Sequence, residues 1–138
     1  MTIVLDTSVV VAFMNRRDDD HKEVVAWMET IGEDLATTPL ILAEIDHLVS
    51  RGGGEDAAAA FYDDLSRGAY LVEWWPEAVR ETVEAARKNL GTGLADASLL
   101  ALAARLGTAR IATLDERHFR VVFPLTGEAA FTLLPADT

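Results

Sequence analysis

The chain is expected to fold as an α/β protein, a three-layer α/β/α sandwich with a central parallel sheet. Three observations predict it. Short apolar runs of strand length alternate with helical segments along the sequence, the pattern of successive βαβ units. The first run places Ile3, Val4 and Leu5 in succession, as in a strand buried on both faces. No repeat, low-complexity tract or linker interrupts the alternation, so the 138 residues read as one domain (1–138), long enough to bury a core without staples.

Taken in order, Thr2 to Leu5 form the first strand and run into Asp6. Thr7 and Ser8 open a second apolar run, a short buried helix from Ser8 to Met14. Asn15 to Asp20 is a polar break, read as a solvated loop. His21 to Ile31 carries Val24, Val25, Trp27, Met28 and Ile31 at helical spacing and ends at Gly32. Leu35 to Thr37 is a candidate strand. Thr38-Pro39 starts a helix, with threonine as cap and proline at the first helical position. That helix is expected to reach about Ser50 and stop in Arg51-Gly52-Gly53-Gly54. A further helix covers Glu55 to Arg67, Tyr70 to Trp74 reads as a strand, and Pro76 opens a helix to Asn89. After Gly91-Thr92-Gly93 comes a long apolar helix, Leu94 to Leu106, closed by Gly107. Arg110 to Thr113 is a strand, Leu114 to Phe119 a turn or short helix, and Phe131 to Leu134 a last strand.

Composition narrows the function. The sequence has no cysteine, which excludes disulfides and thiolate zinc sites and suits a reducing compartment. No apolar run approaches the ~20 residues needed to cross a bilayer, and the amino terminus lacks the marks of a signal peptide. A cytoplasmic protein with no membrane contact is expected. With 23 acidic against 12 basic side chains the net charge is −11, which argues against holding nucleic acid through a broad basic surface. The same balance permits carboxylates gathered around divalent cations, or an acidic face for a basic partner. The triple glycine lacks the Lys-Ser/Thr of a phosphate-cradling loop and is read as a helix–helix turn.

Four acids then draw notice. Asp6 ends the first strand, and in open α/β sheets the ligand crevice lies at the carboxyl ends of the strands; capping of the next helix is the competing reading. On the Leu94–Leu106 helix, Ser98 and Arg105 mark a polar side, and Asp96 points the other way, among Leu99, Leu100 and Ala103. A carboxylate buried there costs several kcal/mol unless paired or metal-bound, more than the ~0.3–1 kcal/mol offered by the helix dipole. Glu44 lies at the edge of its helix's apolar face, one turn from Leu40 and from Leu48, whereas Asp46 is read as a solvated charge. Asp115 follows another strand's carboxyl end, with capping of the turn to Phe119 as its alternative. If the sheet is parallel, all four face one edge. Converging without a cation they would repel one another and shift their pKa values upward. Oxygen-only donors suit Mg²⁺ or Mn²⁺, and the chemistry indicated is metal-assisted hydrolysis of a phosphodiester.

Four segments carry a resemblance: VLDTSVVVAF with Asp6, TTPLILAEIDHL with Glu44, GLADASLLALAARLG with Asp96 and IATLDERHF with Asp115. In order, spacing and total length the chain resembles the PIN-domain ribonucleases, and within them the VapC-type toxins of bacterial toxin–antitoxin pairs. The resemblance implies that Asp6, Glu44, Asp96 and Asp115 are catalytic and bind Mg²⁺ or Mn²⁺. It implies that Thr7, Ser8 and Thr113 line the substrate site, that RNA is cleaved, and that a cognate antitoxin is the partner. The resemblance implies a homodimer too, and the Trp27 helix and the Glu55–Leu65 helix carry apolar surface that fits one. Asp46-His47 departs from the apolar or small residues common at that place in the family.

Around Asp115, Arg117, His118 and Arg120 are candidates for contact with RNA phosphates, with a solvated turn as the alternative. Trp74-Trp75 are read as aromatic residues ending a core strand rather than as base-stacking ones. The three histidines form no constellation, so His118 is not taken as a general base. Two other functions were weighed. One is a catalytically silent PIN-like interaction domain, which the four retained acids disfavour. The other is a phosphatase or receiver using Asp6 as phosphoryl acceptor. Ser8 stands where haloacid-dehalogenase-like phosphatases need a second aspartate, and the paired acids and lysine of receivers are missing.

Overall fold

The computed structural model describes residues 2–138. The strands β1 (Thr2–Leu5), β2 (Asp34–Thr37), β3 (Leu71–Val72), β4 (Arg110–Ala112) and β5 (Thr132–Leu134) form one sheet in the order β3-β2-β1-β4-β5, and every neighbouring pair is parallel. The helices are α1 (Thr7–Met14), α2 (His21–Thr30), α3 (Pro39–Ser66), α4 (Ala78–Lys88), α5 (Leu94–Leu106) and α6 (Glu116–Phe119). Successive residues of a strand face opposite sides, yet Ile3, Val4 and Leu5 are all fully buried, so both faces of the central strand are covered. The α/β sandwich with an all-parallel sheet is therefore as expected. No helix among the described residues is long and apolar enough to cross a membrane.

The strand order sets the site. β1 and β2 run toward β3 on one side, while β4 and β5 lie on the other, so the chain changes direction between β1 and β4. The crevice of such a sheet opens where the order reverses, beyond the strands' carboxyl ends. Asp6 follows β1 and its amide bonds Ala112 O at 2.9 Å, while Thr113 follows β4 and its amide bonds Leu134 O at 2.9 Å. Both acids expected at strand ends thus stand at the switch.

Two helices depart from expectation in ways that bear on the site. The Pro39 helix runs a little past its expected end and breaks within the glycines, at Gly54 (φ 72°, ψ −161°), where a second helical stretch begins as expected; α3 is thus two helices joined at a kink. That conformation is open essentially to glycine alone. Gly53 beside it has no room for a side chain, since a Cβ there would stand 2.5 Å from the Ala57 Cβ. The two halves of α3 are clipped together by Tyr62, whose hydroxyl donates to Asp46 Oδ1 at 2.6 Å. Asp46 is thus a structural acceptor rather than a solvated charge.

In α5 every residue from Ala97 to Ala103 is buried, and the helix packs against β1, α3 and α4. A helix apolar on all sides is an interior one. Ser98 does not mark a polar face: it is fully buried and shares a 2.7 Å hydrogen bond with Thr38 Oγ1.

Smaller shifts have local causes. The strand read at Tyr70 to Trp74 keeps only Leu71 and Val72, because Tyr70 turns into the core and pairs its ring with Phe61. The helix after Pro76 begins at Ala78, whose amide bonds Trp75 O across a turn at 2.9 Å. The two tryptophans divide. Trp75 is buried, donates to Glu81 Oε2 at 2.7 Å and lies under Arg105, while Trp74 is exposed. Trp27 and Phe61 are absorbed into the core, and Tyr62 is the large aromatic left exposed on those helices among the described residues.

Candidate active site

Asp6 sits at the N-cap position of α1 yet makes no side-chain capping bond into the helix. Its Oδ2 instead accepts from Thr113 Oγ1 at 2.7 Å and from Ser8 Oγ at 2.9 Å. The two hydroxyls are themselves pinned: Leu114 N donates to Ser8 Oγ at 2.9 Å and Asp115 N to Thr113 Oγ1 at 3.0 Å. One carboxylate oxygen of a side chain only 5% exposed therefore belongs to a network tying β1 to the end of β4. Burial raises the Asp6 carboxyl above the ordinary aspartate range; the bonds from Thr113, Ser8 and the Thr7 amide oppose this, and the charge of Glu44 adds to it.

A second hydroxyl network seats two more acids. Thr38 caps α3 by accepting from Ile41 N at 3.4 Å, and through Ser98 it joins the first turns of α3 and α5. Glu44 stands one and a half turns into α3 and Asp96 in the first turn of α5, so this joint fixes the two helix starts against each other. Asp96 is half-buried, and its carboxyl is pushed up to about 7, first by burial and then by the charges of Asp6, Glu44 and Asp115. Such mutual repulsion means that the four acids share one field, as expected. Asp115 is exposed, and its Oδ1 caps α6 by accepting from His118 N at 3.2 Å. The capping alternative is thus realised for Asp115 and not for Asp6.

All four line a single crevice of about 610 Å³, together with Thr7 and Ser8. Thr7 is buried, and its Oγ1 has no hydrogen-bond partner among the described residues. The donors are hard carboxylate and hydroxyl oxygens, which suit Mg²⁺ or Mn²⁺ rather than a soft metal. Among the described residues no group of three acidic or histidine side chains stands close enough together to hold a metal ion by itself. That is compatible with Mg²⁺, which takes one or two carboxylates and keeps several waters. Arg117 is exposed on α6, two residues past Asp115; it does not line the crevice and makes no ion pair among the described residues. Arg120 is not free for phosphate: it grips Asp137 with both terminal nitrogens, at 2.8 and 2.6 Å, and also Glu116.

The sequence profile of the PIN domain matches residues 3–124, which include all four acids. The chain belongs to the PIN-domain family. It is 33% identical over 138 residues to Ribonuclease VapC26 of Mycobacterium tuberculosis, across 96% of this chain and 100% of that protein. That likeness sets it among the VapC proteins. VapC20 of the same organism, described as a sarcin-ricin loop cleaving toxin, superposes with a TM-score of 0.75 at 22% identity, over 82% of this chain and 89% of that one. VapBC2 from Rickettsia felis, solved with a DNA fragment from its promoter, gives 0.65 at 19% identity, over 93% and 98% of the two chains. These two structures share the fold.

Three features of this PIN domain's crevice escaped the sequence reading. Asp18 and Asp20, taken as part of a solvated loop, line it. Their signal was only a run of acids, and the fold of the loop, in which Asp20 N donates to Asp18 Oδ1 at 2.8 Å, turns them inward. Thr92, read as part of a chain break, also lines the crevice. His118 lies against Asp96, with Nε2 3.6 Å from Oδ2. The histidines do not cluster with one another, as read; one of them joins the acids instead.

Proposed function

We propose that this PIN-domain protein is a Mg²⁺- or Mn²⁺-dependent endoribonuclease, the toxin of a toxin–antitoxin pair. The observation that carries the reading is the convergence of four carboxylates at the sheet's switch point, with Asp96 raised to about 7 by burial and by the other three. A protein keeps such a repulsive cluster when a cation resolves it. Asp6 and Asp96, the more buried pair, would hold the ion directly, with Glu44 and Asp115 at the rim reaching it directly or through its waters.

When bound, a divalent ion supplies Lewis acidity toward a phosphodiester and a water acidic enough to attack near neutral pH. The remaining work falls to the chain. Ser8 and Thr113 hold Asp6 in one orientation through its Oδ2, so they act on the substrate through that carboxylate. Thr7, with its hydroxyl unspoken for, offers a donor toward a phosphate oxygen. Arg117, exposed two residues past Asp115, would supply a positive charge for a flanking phosphate.

An antitoxin partner is supported by the likeness to VapC20, which is described as a toxin, and by the fold shared with VapBC2 and with FitAcB of Neisseria gonorrhoeae, the latter at a TM-score of 0.57 and 22% identity over 84% of this chain and 88% of that one. An apolar groove of about 440 Å³ between α1 and α3 shares Val11 and Leu48 with the acid crevice. A partner segment in that groove would bring a basic side chain to the acids. A homodimer would use apolar side chains other than those first considered: Leu71, Val72 and Trp74 beside β3, or Val121, Phe123 and Leu125 after α6. The absence of cysteine suits the cytoplasm as the site of action.

The test is cleavage of a panel of structured and single-stranded RNAs with Mn²⁺, with Mg²⁺ and with EDTA. Cleavage is expected with either ion, none with EDTA, and a loss of at least ~100-fold in Asp96→Asn, the scale of removing a group that acts in the transition state. Full activity in Asp96→Asn, or in EDTA, would overturn the assignment. Binding of Mn²⁺ without cleavage of any RNA would favour an interaction domain instead.

A further inference from the structure

His118 Nε2 is buried and has no hydrogen-bond partner among the described residues, yet it stands 3.6 Å from Asp96 Oδ2. A buried ring nitrogen without a partner is costly and calls for a reason. Nor is the ring free to seek another acceptor. Its own amide is bonded by the Asp115 carboxylate at 3.2 Å, and its edge meets the buried Phe119 ring with centroids 4.8 Å apart at 81°. Its neighbour Asp96 is half-buried in the first turn of α5.

We propose that His118 is a positioning residue for Asp96, its Nε2–H donating to Oδ2 so that the other carboxylate oxygen is presented to a divalent ion in the crevice. The inference rests on the metal-dependent reading above. A carboxylate with one oxygen fixed by a hydrogen bond loses rotational freedom, and its second oxygen keeps one direction; partners of this kind orient metal ligands and tune their affinity. The 3.6 Å separation is a few tenths of an ångström beyond an ordinary hydrogen bond. Asp6 has an analogous arrangement, with Oδ2 held by two hydroxyls. The two more buried acids would then each be held at one oxygen by side-chain donors.

The experiment is a calorimetric titration of Mn²⁺ into the full chain, comparing wild type, His118→Leu and His118→Gln at one pH near 7.5, with melting temperatures in EDTA as control. Glutamine keeps an N–H donor near the Nε2 position; leucine fills the space without one. His118→Leu is expected to weaken Mn²⁺ binding about 10-fold or more, the usual effect of losing such a partner, with melting unchanged, and His118→Gln to recover most of the loss. If His118→Leu melts early, His118→Phe keeps the ring and is read in its place. Wild-type affinity in the donor-less variant, or equal loss in both variants, overturns the proposal. The reading beneath it fails separately: Mn²⁺ binding absent from the wild type removes the metal site itself. Binding lost in Asp96→Asn but intact in His118→Leu removes only the role of His118.

Discussion

With its carboxyl raised to about 7, Asp96 is divided between protonated and ionised forms near neutrality. In the unfolded chain the same group titrates near 3.9. Between those values the folded state binds the extra proton, so stability falls as pH rises through that window. Asp6, raised as well, acts in the same direction. Metal-free protein is therefore expected to melt progressively earlier from about pH 4 to pH 7, and Asp96→Asn to flatten that decline. At about 1.4 kcal/mol per tenfold in the protonation equilibrium, less screening by crevice water, the variant should gain on the order of 1–2 kcal/mol at pH 7.5. Thermal melts in EDTA across pH check this; an unchanged pH profile would contradict it. Metal binding runs the other way. It needs the ionised carboxylate and releases the proton, so Mn²⁺ affinity should fall roughly tenfold per pH below about 7, which calorimetry in two buffers would read.

The acids were legible because each violates what its neighbours predict. Asp6 follows three buried strand residues, and Asp96 precedes seven buried helical ones. The wheel that singled out Asp96 was nevertheless drawn on a wrong premise, since Ser98 lies in the core, its hydroxyl satisfied by Thr38 and Ala95 O. A single residue's polarity does not reveal that a hydroxyl sixty positions earlier awaits it. The same holds for Asp18 and Asp20, whose place in the crevice depends on the path of their loop, and for His118, set against Asp96 by the turn that Asp115 caps.

At the level of elements, β1, α2 and α5 were readable to within a residue, because their signals are local: an apolar run, a helical spacing ended by glycine, a glycine in the left-handed region at φ 67° closing α5. The hinge of α3 was read as a stop because three glycines signal one. The stop is realised as a kink at Gly54 alone, with helix on either side. Gly54→Ala is expected to destabilise the fold by about 1–3 kcal/mol, the cost of forcing a side chain into that backbone region. Gly52→Ala, where a Cβ meets nothing within 4 Å and the backbone is helical, should be neutral or slightly stabilising. Chemical denaturation of the two variants would check the contrast, and equal effects would mean that the hinge is not localised. Neither change touches the crevice, so nuclease activity should survive in both.

On the scale of the molecule, a net charge of −11 and an acid-lined crevice oppose RNA, a polyanion. Affinity must then come from bound divalent charge and from a few basic side chains beside Asp115 in the chain, Arg117 foremost. Each divalent ion places two positive charges where four carboxylates gather, which reverses much of the local repulsion. Calcium should fill the same oxygen donors while its looser coordination supports little cleavage, so it permits an equilibrium measurement on intact RNA. The most direct test of the metal-centred site is binding of a short single-stranded RNA across a salt series, once with Ca²⁺ and once with EDTA. Measurable binding with Ca²⁺, a shallow salt slope reflecting about one to three phosphate contacts, and no binding in EDTA are expected. Tight binding in EDTA with a steep salt dependence would instead reveal a basic RNA surface independent of the four carboxylates, and would contradict the site assigned here.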